Sequence, residues 1–264
     1  MARRLLICAG LALVAGSGML FAQAGQGGAA GRGGRGGPPP VPRAQAPYDI
    51  TGYWVALVTD DWRYRMLTPP KGNADYIPVT PEARKVMDAW DPAKDEAAGE
   101  ACKGYGAGGV MRLPGRLHIT WMNDTTLQVE TSAGTQTRTF TFAPPPASGA
   151  SAPAPATPSW QGTSLARWTF PISRGGRGPA PTAQLTVTTT GLRPGYVRKN
   201  GIPYGANAVI TENFIRLADE GDEFLVVTTT VDDPLYFNPP YIKTYEFKRE
   251  RDGSAWNPTP CSAK

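Results

Sequence analysis

The chain is short of the residues that most protein chemistry needs. It has one histidine, His118, and three cysteines, Cys8, Cys102 and Cys261. None of these forms a Cys-x-x-Cys pair, so a zinc site is excluded and no metal is implied. Gly162-x-Ser164 lacks the second glycine of a nucleophile elbow, and no α/β alternation surrounds it. Charged residues make up only 19% of the chain, and the basic excess is confined to its start. Residues 1–47 carry Arg3, Arg4, Arg32, Arg35 and Arg43 and no acid, which leaves 22 basic residues against 22 acidic ones. An electroneutral body gives no argument for nucleic acid or an anionic membrane as partner. No cofactor is implied either.

What is present begins with an export signal. Arg3 and Arg4 precede an uncharged stretch, Leu5 to Phe21, that ends in Ala22-Gln23-Ala24, a small-x-small cleavage pattern. The stretch is too short and too interrupted by Gly and Ser for a comfortable transmembrane helix, which needs about 20 residues. Cys8 precedes any adequate apolar region and belongs to the discarded peptide. Residues 1–24 are therefore expected to be a cleavable signal, with no transmembrane anchor after cleavage and a periplasmic or extracellular destination. Residues 25–47 are rich in Gly, Arg and Pro, hold no aliphatic residue beyond Val41, and read as a disordered tether. Residues 48–264 form one domain. In an oxidising compartment the surviving cysteines, Cys102 and Cys261, are expected to form a disulfide.

The dominant pattern in that domain has period two. Strands are expected over Thr51–Val58, Trp62–Leu67, Arg116–Met122, Thr126–Ser132 and Gln136–Phe142, then over Ser164–Pro171, Gln184–Gly191, Ala208–Leu217, Glu223–Val231 and Tyr241–Arg249. Helix is expected only between residues 81 and 102. Thr80 caps Pro81–Trp90, whose apolar face carries Val86 and Trp90, and a shorter turn follows in Ala93–Cys102. Two biased insertions, 143–158 and 173–181, read as flexible surface loops. The expected fold is all-β and mainly antiparallel: a single up-and-down or curled barrel, with a β-sandwich as the alternative.

The order Asp91-Pro92, Cys102, Met111-Arg112-Leu113-Pro114, Arg138, Gly162-x-Ser164, Trp168, Thr211-Glu212-x-Phe214, Val231-Asp232-Asp233-Pro234 and Cys261 resembles a large group of secreted β-rich proteins of environmental bacteria. The likeness spans about Tyr48 to Cys261. It departs from the usual pattern after Trp168, where an insertion replaces an acidic turn. The resemblance implies a compact, remotely lipocalin-like barrel outside the cytoplasm. It implies no reaction.

Strand alternation puts Arg138 on one face with Phe140 and Phe142, and Glu212 on one face with Ile210 and Phe214. If those faces point inward, the two charges enter an apolar interior and meet. The candidate ligand-binding residues are Arg138, Glu212, Trp121, Trp160, Trp168 and Tyr204; each also reads as ordinary barrel structure. Glu212 and His118 are the candidate acid/base residues, although His118 lacks a nucleophile beside it. The leading functional reading is a binding protein for a small apolar or amphipathic ligand. The alternatives are an envelope accessory protein with unspecified protein partners, and a cofactor-free lyase, isomerase or hydrolase.

Overall fold

The computed structural model describes residues 41–59, 61–142, 157–170 and 183–264. The signal segment, most of the tether and nearly all of both insertions lie outside these residues.

The first strand, β1 (Gly52–Leu57), is followed by three short helices, α1 (Trp62–Arg65), α2 (Pro81–Ala89) and α3 (Pro92–Ala97). Two 3-10 turns, Ala101–Tyr105 and Val110–Arg112, complete the helical part. Then come β2 (Arg116–Asn123), β3 (Thr126–Thr131), β4 (Gln136–Thr141), β5 (Thr163–Thr169) and β6 (Gln184–Thr190). A small hairpin, β7 (Gly195–Arg198) and β8 (Ile202–Tyr204), precedes β9 (Val209–Asp219), β10 (Asp222–Asp232) and β11 (Tyr241–Arg249).

Nine of these strands close a barrel in the order β1-β11-β10-β9-β6-β5-β4-β3-β2, and β1 pairs with β2 to seal it. Closure settles barrel over sandwich and leaves no free sheet edge. The barrel is mixed rather than a pure meander, because β4 and β5 run parallel through Phe140↔Ser164 and Thr141↔Leu165. Parallel neighbours need a crossover of a dozen or more residues. The Pro/Ala-rich insertion between Thr141 and Thr163 supplies that length.

Three local readings are corrected. Trp62–Arg65 is a helical turn and not a strand: the Tyr64 and Arg65 N–H groups donate to Asp61 O, and the Met66 N–H donates to Trp62 O at 2.8 Å. Six alternating residues fit either structure, and Arg65 decides by anchoring the chain, its Nε–H donating to Arg112 O at 2.9 Å. The end of the expected tether is held on the barrel. The Arg43 N–H donates to Asp124 O at 3.1 Å, and Trp168 Nε1–H donates to Pro42 O at 2.9 Å. The face of α2 is wider than Val86 and Trp90, because Ala83 and Met87 are its fully buried members. Its start is as expected, with Thr80 Oγ1 accepting the Ala83 N–H at 3.2 Å.

The core has two parts. One fills the barrel with Trp54, Ile119, Leu127, Phe140, Val187, Phe214 and Phe247, among others. The second caps one barrel end, where Met87, Leu192, Ile202, Tyr204, Ile210, Val231 and Phe237 pack together. The disulfide Cys102–Cys261, Cα atoms 5.1 Å apart, ties the helical segment to the C-terminal tail across 159 positions of sequence.

Candidate functional site

Arg138 and Glu212 do meet inside the barrel. The guanidinium reaches the carboxylate as a two-pronged fork, Nη1 to Oε1 at 3.0 Å and Nη2 to Oε2 at 2.6 Å. Nη2 also donates to Thr189 Oγ1 at 3.3 Å, and Thr189 Oγ1 lies 2.8 Å from Ser164 Oγ. Both side chains are 0% exposed. Phe140 packs beneath the guanidinium, 4.9 Å from Cζ to the ring centroid. Glu212 is satisfied by the pair, since both its oxygens accept from Arg138, whose Nε–H is left without an acceptor. Such a pair holds strands β4 and β9 in one relative position.

The other residues singled out by sequence do not join this pair in one pocket. Trp121 and Trp168 lie at the opposite end from the cap, flanking Phe142 at centroid distances of 5.5 and 5.8 Å. Tyr48 meets Trp168 edge-on there, and burial pushes its phenol up to about 12. Trp160 lies under Arg193, whose Cζ is 4.3 Å from the indole centroid. Tyr204 is fully buried, with its hydroxyl beside Gly106 and Gly195; a Cβ at Gly106 would fall 2.1 Å from that oxygen. Burial raises the Tyr204 phenol above its ordinary value, with Arg138 opposing. His118 lies on the outside of β2, its Nδ1 2.8 Å from Glu130 Oε2 and its ring stacked on Tyr53 at 4.2 Å. Among the described residues no three His, Cys, Asp or Glu side chains converge as a metal donor set.

Five prominent cavities open on the described residues, and neither Arg138 nor Glu212 lines any of them. Two adjoin beside the cap. An inner one of about 80 Å³ is lined by Arg112, Arg198, Tyr241 and Asp75, among others. An outer one of about 360 Å³ is walled by Trp62, Arg63 and Tyr76. They share Asp61, Tyr64, Tyr76 and Lys243, so they form one cleft with a narrow inner end.

The floor of the cleft is unusual. Arg112 is 4% exposed and Arg198 is 3% exposed. Arg112 Nη1 donates to Tyr64 O at 2.7 Å. Arg198 Nη2 donates to Asn73 O at 2.9 Å and to Asn73 Oδ1 at 3.2 Å, with its Cζ 5.0 Å from the Tyr64 ring centroid. The Nε–H of each arginine has no acceptor, and neither forms a salt bridge among the described residues. Burial depresses both guanidinium pKa values, and at Arg112 the nearby Arg198 and Arg65 add to the effect. Burial also holds the Tyr241 and Tyr245 phenols protonated, far from carrying a compensating negative charge. The rim carboxylates are engaged elsewhere. Asp61 lies 3.5 Å from Lys243 Nζ, and Asp75 accepts from Asn73 Nδ2 at 2.7 Å and from Tyr64 Oη at 3.1 Å.

The outer wall is exposed and mixed, with Trp62, Tyr64 and Tyr76 beside Asp61, Arg63 and Lys243. Tyr76 is 89% exposed and Trp62 55%, and Tyr76 holds φ at +64°, a left-handed conformation costly for a bulky side chain. Sequence reasoning missed this cleft. Its available signal was arginine set inside apolar runs, Val110-Met111-Arg112-Leu113 and Tyr196-Val197-Arg198. The chain matches no protein-family model, no curated protein and no solved structure.

Proposed function

We propose that the protein is an exported binding protein for a small amphipathic molecule, which it holds in the cleft beside the cap and not in the barrel interior. The observation that carries this reading is a cleft made of two joined cavities, a wide outer one and a narrow inner one. One is walled by exposed aromatic rings and the other is floored by buried arginines. Ligand sites combine aromatic and apolar lining with a few placed polar groups in this way. A strained, outward-facing Tyr76 adds to the argument, because backbone strain is kept where the surroundings impose it and tends to gather at ligand clamps. Export rests on the N-terminal 24 residues and fits a disulfide-bonded domain. It also fits the resemblance to secreted β-rich proteins. No helix among the described residues is long and apolar enough to cross a membrane.

Native mass spectrometry of protein purified without refolding tests the reading. The expected result is a bound small molecule whose occupancy falls when Trp62→Ala or Tyr76→Gly opens the outer wall. Protein that is empty in the spectrometer, and whose Trp62 fluorescence no amphiphile alters, contradicts it.

A further inference from the structure

We propose that the inner end of the cleft is a head-group site for a monoanion, a carboxylate or phosphate ester, received by Arg112 and Arg198. This rests on the binding reading above and adds the chemistry of the ligand's polar end.

The inference rests on buried charge beside a cavity. A buried guanidinium is tolerated when a counter-charge meets it, as Glu212 meets Arg138 in the same molecule. Arg112 and Arg198 have only carbonyl oxygens and the Asn73 amide oxygen as partners, with no carboxylate in ion-pair contact among the described residues, and both line the inner cavity. No neighbouring acid contacts either guanidinium: Asp61 pairs with Lys243 and Asp75 is held by Asn73 and Tyr64, so both act on Arg198 only across a distance. A planar guanidinium fork is shaped for carboxylate or phosphate oxygens.

Size and lining narrow the ligand. The inner cavity of about 80 Å³ fits a group of a few heavy atoms, not a whole amphiphile. The remainder of the ligand must pass Tyr64 and Tyr76, whose rings meet edge-on with centroids 6.0 Å apart, into the outer cavity. Asp61 and Asp75 stand beside the arginines and Lys243 in the inner lining. A polyanion would face the two carboxylates.

Calorimetric titration of the protein with octanoate, octyl phosphate and octanol separates head group from chain. The expected result is that at least one charged ligand binds about tenfold or more tighter than octanol, as a charge-assisted contact provides. The stronger of the two identifies carboxylate or phosphate as the preferred group. Arg112→Met and Arg198→Met, made separately, each remove that advantage. The wild-type comparison needs neither variant to fold. Equal binding of octanol and both charged ligands overturns the head-group inference and leaves the cleft reading standing. A copurified ligand without an anionic group has the same consequence. Protein that is empty in the spectrometer and silent in all three titrations overturns both.

Discussion

Among the described residues arginine is buried both inside the barrel and beside the cap, where Arg65 joins Arg112 and Arg198. The two places solve the problem differently. Inside the barrel, Arg138 meets Glu212 in a closed fork with both side chains sealed from solvent. Beneath the cap, Arg112 and Arg198 are almost as deeply buried yet lean on carbonyl and amide oxygens beside a cavity. The difference separates structure from readiness to bind. A guanidinium whose counter-charge is built in fixes two strands, whereas one that lines a cavity with no carboxylate in contact is poised for a partner from outside. Burial alone does not distinguish them; the identity of the acceptors does.

The comparison breaks most visibly at Glu212. Glu212→Gln leaves a sealed guanidinium without its charge and should cost about 3–5 kcal/mol in urea unfolding, because breaking one side of a buried pair strands the other. Replacing both as Arg138→Met with Glu212→Leu should restore most of that loss. A loss below about 1 kcal/mol for the single variant would mean the pair is not what aligns β4 with β9.

Reducing Cys102–Cys261 separates the two regions by place. It should destabilise the protein by about 2–5 kcal/mol, the usual range for losing a native disulfide. Hydrogen exchange should rise first in residues 101–113, which carry Arg112, while β4 and β9 around Arg138 and Glu212 stay protected. Uniform loosening of both would show that the cap and barrel open together.

Arg112→Met carries the opposite sign from Glu212→Gln. Removing a buried charge that has no carboxylate partner should be neutral, or stabilising by about 1–2 kcal/mol, in thermal unfolding without ligand. A loss as large as that of Glu212→Gln would show that Arg112 holds the cap together. Smallest of all is Tyr76→Gly. Glycine adopts φ near +64° at little cost, so stability should hold or rise by up to about 1 kcal/mol while ligand occupancy falls.

Much of the barrel was legible because period two is a strong signal. The strand expected over Tyr241–Arg249 is observed with the same limits, and the alternation of β4 and β9 already pointed Arg138 and Glu212 at each other. A barrel was expected, but which strands close it was not legible, since that depends on β1 finding both β2 and β11. The hairpin β7–β8 escaped notice although Asn200-Gly201 is a strong turn dipeptide. Gly201 holds φ at +89° there, close under the Trp90 ring. The strand-like alternation of Trp62–Leu67 misled because six residues are too few to separate the two periods. The cleft was illegible for a different reason. Trp62 and Tyr64, Tyr76, Arg112, Arg198 and Tyr241 come from five separated segments, and only the folded cap gathers them.

The most direct test is to follow the arginine Nε–H resonances by ¹⁵N-edited NMR as octanoate or octyl phosphate is added. The account predicts saturable shifts at Arg112 and Arg198 and an unmoved signal from Arg138. Shifts at Arg138 with Arg112 and Arg198 silent would contradict it and place the ligand inside the barrel.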